Sequence, residues 1–378
     1  MTAPSQSKGT IAIVYNTALY VLKLRMRLIK VLRAEGYDIV VIAPRDEAVP
    51  LLEKEGIRYI ELPMSQYGMN PLAEIKTVRA LARILQKLKP VVSLHYTVKP
   101  NTFGNIAASM ANVPVINNVA GAGRAFSSTG SPILRFIVQR LYRAGLRRAT
   151  HVFFQNNEDR ADFIAADLVA KEVTSRIPGS GVDVDKFLVQ PLPEKTKFLF
   201  VGRLLKEKGI AEYVMAAAAL KKRGLDCEVH IVGEHSDKSD HIDGAVLQKA
   251  VEAGDVIYHG SVLPDTIPAL LKDASCVVLP SYYGEGVPKS LLEACATGRP
   301  VITTDHRGCR DAVNDGVSGF LVNPRDTQSL EEAMAKIIDM HRDKLIEMGA
   351  ASRRHAETVF DERFVLDAYL DEINKIVD

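Results

Sequence analysis

Two glutamates, Glu285 and Glu293, sit eight positions apart in the string P-S-Y-Y-G-E-G-V-P-K-S-L-L-E-A-C-A-T-G-R, from Pro280 to Arg299. The apolar run before Pro280 predicts a strand, and the pattern from Pro288 onward predicts a helix with proline in its first turn. Proline is favoured there because the missing N–H would have no partner anyway. The amides of Lys289, Ser290 and Leu291 then make an anion site at the helix N-terminus. Gly284 and Gly286 flank Glu285 and allow a ligand to approach the backbone closely. Taken alone, two glutamates at this spacing are better explained as a loop charge and a solvated helix residue. A second set follows another predicted strand: Gly202-Arg203-Leu204, then Lys208-Gly209. It places two cations just past a strand's carboxyl end, where parallel sheets bind ligands. Arginine can fork onto phosphate oxygens and lysine adds a point charge. The bland alternative is a pair of solvated charges before a helix. Both sets suit the stabilisation of a phosphate.

Other clusters read as bystanders. Asp183-Val184-Asp185 spells a metal-binding triplet, but its first aspartate suits the cap of a short helix. His235, Asp237, Asp240, His241 and Asp243 follow a strand end in a polar run and read as a surface loop. The four cysteines, Cys227, Cys276, Cys295 and Cys309, include no C-x-x-C pair and read as reduced thiols. No metal site is predicted. His95, at a strand end, is better explained as structural than as a polar site residue.

The elements that must position these residues alternate along the chain. Strands are expected at 11–15, 39–43, 58–62, 91–95, 113–117 and 151–155, then at 197–202, 228–233, 256–260, 276–280, 301–304 and 319–322. Helices are expected at 21–35, 49–56, 71–88, 102–111 and 132–147, then at 210–223, 243–253, 266–272, 288–297 and 328–340. Such alternation predicts an α/β fold of parallel, doubly wound sheets. With 378 residues and 47% hydrophobic composition, the chain suits two Rossmann-like domains facing a cleft. The prolines of 189–193 suggest the break, giving domains 1–190 and 191–378. The last helical stretch, 361–378, could pack on either.

The net charge of +2 hides an asymmetry: residues 1–190 carry 25 Lys and Arg against 15 Asp and Glu, so the remainder is net acidic. Between Glu74 and Glu158 there is no acidic residue, yet twelve basic ones. The first domain therefore calls for an anionic partner. Two helices interleave apolar residues with cations: Lys23, Arg25, Arg27, Lys30 and Arg33 in one, Arg135, Arg140, Arg143, Arg147 and Arg148 in the other. Each set alone fits a solvated face; together they favour an anionic membrane surface. No apolar run is long enough to span a bilayer, and Met1–Thr10 lacks the pattern of a secretion signal. A nucleic-acid partner would leave the second domain idle, and no G-x-G-x-x-G follows the first strand to bind a dinucleotide.

Glu285-(seven residues)-Glu293, followed by Ala294 and Gly298-Arg299-Pro300-Val301, resembles the E-x7-E signature of glycosyltransferase family 4, retaining enzymes of the two-domain GT-B fold. Gly202-Arg203-Leu204 with Lys208-Gly209 resembles its donor-diphosphate motif. Ile231-Val232-Gly233-Glu234 and His259-Gly260-Ser261-Val262 resemble its strand ends near the nucleotide base, and Gly181-Val182-Asp183 its interdomain segment. Lys99-Pro100-Asn101-Thr102-Phe103-Gly104 and Val119-Ala120-Gly121-Ala122-Gly123-Arg124 resemble bacterial members that extend a polyprenyl-diphosphate-linked sugar, N-acetylgalactosaminyltransferases among them.

The resemblance implies catalytic roles for Arg203, Lys208 and Glu285. It implies donor binding by Gly202, Arg203, Lys208, Gly233, Val262, Glu285, Gly286, Val287, Pro288, Lys289, Ser290 and Glu293. Acceptor binding would fall to Arg25, Lys99, Asn101, Thr102, Asn118, Gly121 and Arg124, with Arg25 as a phosphate contact. Two departures stand out: Tyr15-Asn16-Thr17 replaces a Gly-Gly pair, and Asn117 and Asn118 stand where many members have a histidine. The implied activity is metal-independent transfer, without a cofactor, of a hexose or N-acetylhexosamine, with GalNAc preferred, from a UDP-sugar to a polyprenyl-diphosphate-linked glycan. It would take place at the cytoplasmic face of the cell membrane, with the enzyme peripheral to it and no nucleic acid involved. A soluble acceptor, or a nucleotide-sugar-binding protein without activity, are the alternatives.

Overall fold

The computed structural model describes residues 7–65, 70–123, 132–236 and 240–377. Its contacts divide the chain into two compact units, residues 1–177 with 365–378, and residues 178–364.

The first unit holds a seven-stranded sheet: β1 (Thr10–Val14), β2 (Asp38–Ala43), β3 (Arg58–Glu61), β4 (Val92–Tyr96), β5 (Val115–Val119), β6 (His151–Phe154) and β7 (Thr174–Arg176). The spatial order is β3-β2-β1-β4-β5-β6-β7. The second unit holds six strands: β8 (Lys197–Val201), β9 (Glu228–Val232), β10 (Ile257–Tyr258), β11 (Cys276–Leu279), β12 (Val301–Thr304) and β13 (Gly319–Val322). They lie in the order β10-β9-β8-β11-β12-β13. Every pairing in both sheets is parallel. Helical crossovers cover both faces, so β1, β4 and β5 are buried almost end to end. In each sheet the order reverses beside the first strand, between β1 and β4 and between β8 and β11. That reversal leaves a crevice at the carboxyl ends.

The first unit ends at residue 177, not near 190, because Val182, Val184, Phe187 and Leu192 are buried in the second core. Three arginines clamp the proline-bearing segment there. Arg299 donates to the Pro191 carbonyl, Arg342 to those of Leu192 and Pro193, and Arg353 to those of Val184 and Phe187. The helix Glu362–Val377 brings Val365, Leu366, Tyr369 and Ile373 into the first unit's core.

Four elements depart from expectation. The first helix is two, Ala18–Leu24 and Met26–Ala34, broken at Arg25. Helices Asn157–Ala165 and Arg342–His355 were not anticipated. The latter buries Leu345, Met348, Gly349 and Ser352, a face too small and polar to show as apolar periodicity. Strand β7 has three residues and a polar sequence.

Beneath the first sheet's carboxyl edge lies a buried polar network. His95 Nδ1 faces the Pro100 carbonyl at 3.0 Å and Asn105 Oδ1 at 2.8 Å, while Ser93 Oγ lies 2.9 Å from Nε2. These partners assign the proton to Nδ1. Asn105 and Asn117 exchange bonds at 2.9 Å, and Asn117 donates to Asn101 at 2.8 Å. Burial pushes the His95 pKa down to about 4, against the hydrogen bonds its Nδ1–H donates to Asn105 and Pro100, which favour the charged ring. A folded-state value below the unfolded one means that the unfolded chain takes up a proton first as pH falls. Folding free energy should therefore drop by about 2–3 kcal/mol between pH 7 and pH 4.5 on this account. His95→Asn should flatten the pH dependence of urea denaturation over that window by this amount; an unchanged slope would refute it.

Candidate active site

In the second unit the chemistry-bearing residues gather at the sheet reversal. The loops beyond β8, β9 and β10 continue the ladder: Gly202 N donates to Val232 O at 3.0 Å, Leu204 N to Glu234 O at 3.0 Å, and Gly233 N to Gly260 O at 2.9 Å. Gly233 has φ +158°, and a Cβ there would lie 1.7 Å from the Gly202 carbonyl oxygen. A side chain would force these strand ends apart. Gly209 is left-handed, φ +74°, and its Cβ would fall 2.2 Å from the Pro280 carbonyl oxygen. With the Tyr282 amide donating to Glu207 O at 2.8 Å, this close approach seats the turn Lys206–Lys208 against the loop after β11.

The result is an ion pair. Lys208 Nζ lies 2.6 Å from Glu285 Oε1 and also contacts Oε2, with the two side chains 12% and 17% exposed. Ser281 Oγ donates to the same Oε1 at 2.9 Å. Sequence reading placed these residues in one site but not on each other, and it missed Ser281, which nothing in the string singles out. Arg203 is half-buried and has no ion pair among the described residues. Gly286 is buried, and a Cβ on Gly308 would lie 2.0 Å from its carbonyl oxygen.

The helix Lys289–Ala296 starts one residue later than expected: Pro288 is its cap, with φ −62° and ψ +124°, and no side chain caps it. The Leu291 amide bonds the Pro288 carbonyl at 3.1 Å. It drops out of the anion site, which leaves Lys289 and Ser290 at the open first turn. Glu293 is not a solvated helix residue. Burial raises its pKa, with Lys289, 3.8 Å away, and Lys186 acting the other way. Val287 is in the second core and Val262 packs against it.

The acceptor residues expected in the first unit are sorted more severely. Lys99 is spent on Glu74 at 2.6 Å and Ser65 at 2.7 Å, and both ionic side chains are buried. Asn101 is 1% exposed, held by Asn117 and the Asn118 carbonyl, and Thr102 Oγ1 donates to Val98 O at 2.7 Å. These three serve the fold, because a buried polar group must find its partners internally. Asn118 Nδ2 donates to the Tyr369 hydroxyl at 3.0 Å. Gly121, φ +130°, opens the loop whose Ala122 amide is held by Asp159. Arg124 lies outside the described residues. Arg25 is 3% exposed, its guanidinium 4.2 Å from the Tyr96 ring centroid.

Among the described residues no three His, Cys, Asp or Glu side chains come close enough to hold a metal ion. Asp183 Oδ1 accepts the amides of Asp185 and Lys186, each at 3.0 Å, so it caps its own turn. No described helix is long and apolar enough to cross a membrane.

Two cations and a paired carboxylate at the reversal of one doubly wound sheet, with a second such sheet in the same chain, define a class that binds an anionic, phosphate-bearing ligand. The family profile "Glycosyl transferases group 1" matches residues 185–355, and "Glycosyl transferase 4-like" matches residues 11–156. The chain belongs to the glycosyltransferases of family 4, with the GT-B fold, and is an enzyme of that class. It is 26% identical over 93% of its length to the N,N′-diacetylbacillosaminyl-diphospho-undecaprenol α-1,3-N-acetylgalactosaminyltransferase of Campylobacter jejuni, covering 95% of that protein. It is 28% identical over 81% of its length to the UDP-Gal:α-D-GlcNAc-diphosphoundecaprenol α-1,3-galactosyltransferase of Escherichia coli, of which it covers 81%. Anabaena HepE in complex with UDP and glucose matches with TM-score 0.79 at 18% identity, over 97% of this chain and 100% of that one.

Glu285→Gln keeps the shape and the Ser281 contact but removes the charge facing Lys208. Transfer should slow on the order of 100-fold, the scale of losing a preorganised electrostatic group. Steady-state kinetics on the variant would check this, and a loss under threefold would deny Glu285 a part in the chemistry.

Proposed function

We propose that the protein is a retaining, metal-independent glycosyltransferase that moves a hexose or N-acetylhexosamine, GalNAc first, from a UDP-sugar to a polyprenyl-diphosphate-linked saccharide. The observation that carries this reading is the Lys208–Glu285 pair beside Arg203 at the β8/β11 reversal. Both relatives named above act on undecaprenyl-diphosphate-linked sugars, and the E. coli one uses UDP-Gal.

Arg203 and Lys208 would bind the donor's diphosphate, with the open helix turn at Lys289 and Ser290 adding backbone N–H donors. Negative charge grows on the phosphate as the sugar's C1–O bond breaks, and fixed cations stabilise it without reorganising. A phosphate reaching Lys208 competes with Glu285, so donor arrival frees that carboxylate to accept hydrogen bonds from the sugar. Glu293, buried at the helix, would take the ribose hydroxyls. The acceptor hydroxyl attacks C1 from the leaving group's own face. Its oxygen forms the new bond to C1, and its proton passes to the departing phosphate oxygen.

A transfer assay should offer UDP- and GDP-sugars with a short-chain polyprenyl-diphosphate monosaccharide in the presence of EDTA, with products read by mass. One UDP-sugar should add one sugar residue, and Arg203→Ala should cut that rate on the order of 100-fold. Loss of transfer in EDTA would overturn metal independence, and no product from any donor would overturn the acceptor class.

We place the enzyme at the cytoplasmic face of an anionic membrane, docked through helix Pro132–Leu146. Arg143 on that helix and Arg147 just past its end pair with Asp167. Arg135 and Arg140 are exposed near Ile133, Phe136 and Ile137, which are 72%, 62% and 43% exposed. Apolar side chains flanked by cations suit an acidic leaflet, which takes the former among its acyl chains and the latter among its phosphates. The protein should float with vesicles containing 30% phosphatidylglycerol, and Phe136→Glu should abolish flotation while leaving transfer to the short-chain acceptor intact. Equal flotation of both forms would remove this helix from the membrane contact.

A further inference from the structure

Beside the second unit's ion pair, one neutral group holds the carboxylate from a fixed place. Ser281, the second residue past β11, is 0% exposed. Its carbonyl accepts the Thr304 hydroxyl from the end of β12, and the Cys309 thiol approaches the same oxygen at 3.7 Å. Burial, with the Glu285 charge adding to it, pushes that thiol's pKa up to about 12, so it keeps its proton and can donate. Two residues earlier, the Leu279 carbonyl accepts Thr303 Oγ1 at 2.7 Å. Three side chains of the neighbouring strand and the loop after it therefore tie down the main chain that carries the Ser281 hydroxyl.

The hydroxyl itself has little choice of direction. Its oxygen accepts the Tyr283 amide at 3.3 Å, and its proton can go to Glu285 Oε1 at 2.9 Å or to the Glu207 carbonyl at 3.5 Å. The carboxylate wins on distance and on charge, since a bond to an ionised acceptor is about twice as strong as one between neutral groups. The Glu285 amide in turn donates to the Tyr283 carbonyl at 2.7 Å. Residues 281–285 thus form one small loop, closed through the N–H and C=O of Tyr283 and through the Ser281–Glu285 bond. Lys208 contacts both carboxylate oxygens, whereas Ser281 touches Oε1 alone. Among the described residues these are the two side chains bonded to the Glu285 carboxylate.

We propose that Ser281 is a positioning residue for transfer: it pins Glu285 by Oε1 so that Oε2 is presented to a hydroxyl of the donor sugar when the donor's diphosphate draws Lys208 away. The inference rests on the reading of Glu285 as the group that meets the sugar. Ser281 itself touches no substrate and takes no part in the bonds that break and form. It acts by removing conformers: a glutamate has three rotatable bonds, and aiming it from a fixed hydroxyl settles their entropy before the donor arrives.

The test is a double-mutant cycle in the transfer assay, with calorimetric titration of UDP on each variant. Ser281→Ala removes one buried oxygen and leaves the backbone ties of the loop in place. It should lower kcat on the order of tenfold, the scale of a lost bond to a charged group. The donor KM and the Kd for UDP should stay within about twofold of wild type. UDP has no sugar for Glu285 to meet, so it reports whether the Arg203 and Lys208 site is intact. In the Glu285→Gln background, Ser281→Ala should add less than about twofold, because the group it positions is already disabled. A Ser281→Ala enzyme within about twofold of wild type in kcat would overturn the positioning role, and so would a double variant slowed by the product of the two single effects. UDP binding weakened along with kcat would also overturn it, by making the serine a structural support. Glu285→Gln at the wild-type rate would sink the reading of Glu285 itself, and a wild type that transfers no sugar would overturn the transferase reading and this inference together.

Discussion

The close approach of Gly209 to the Pro280 carbonyl is the constraint on which the second unit's site depends. Because the backbone there is left-handed and has no Cβ, the turn carrying Lys208 can lie directly against the loop carrying Glu285. Gly233 does the same for the β8 and β9 ends, and Gly308 for the loop at Gly286. Three contacts impossible for any L side chain thus bring segments distant in sequence to one sheet edge. The ion pair is a consequence of this packing: two charges that share one place and are largely shielded from water hold each other.

The two sheets have the same strand order around their reversals, yet they handle charge in opposite ways. At β8/β11 cation and carboxylate are paired, with Ser281 holding the carboxylate. At β1/β4 the cation is buried against aromatic rings, with one Nη on the Leu24 carbonyl and no ion pair among the described residues. A paired site is neutral when empty and exposes a carboxylate when a phosphate captures the lysine, which suits a ligand that carries both a phosphate and hydroxyls.

The alternation of strands and helices and the strand count to within one were legible because they are local. A β-branched run bounded by glycine reads as a strand, and cations just beyond its end read as ligand contacts. What stayed hidden is set by partners far away in sequence. Lys99 looks like a contact until Glu74 is seen against it, 25 positions earlier. Asn101 looks available until the network around His95 closes over it, and Thr102 until its hydroxyl is seen on the Val98 carbonyl. The boundary moved from 190 to 177 because the two prolines that suggest a linker say nothing of Arg299, Arg342 and Arg353, which clamp that segment from up to 169 positions away. Arg25 was singled out, yet on a helix face that reads as solvated, since no sequence pattern announces a break without proline or glycine.

The charge asymmetry also changes meaning once side chains are placed. Much of the first unit's basic excess is already committed: Lys99 to Glu74, Arg143 and Arg147 to Asp167, Arg45 to Glu61, and Arg33 to a helix-end carbonyl at Glu55. What remains is divided by environment. Exposed cations such as Arg135 and Arg140, screened by water and salt, suit a diffuse charged surface. Arg25, out of water, interacts far more strongly with a single charge brought next to it.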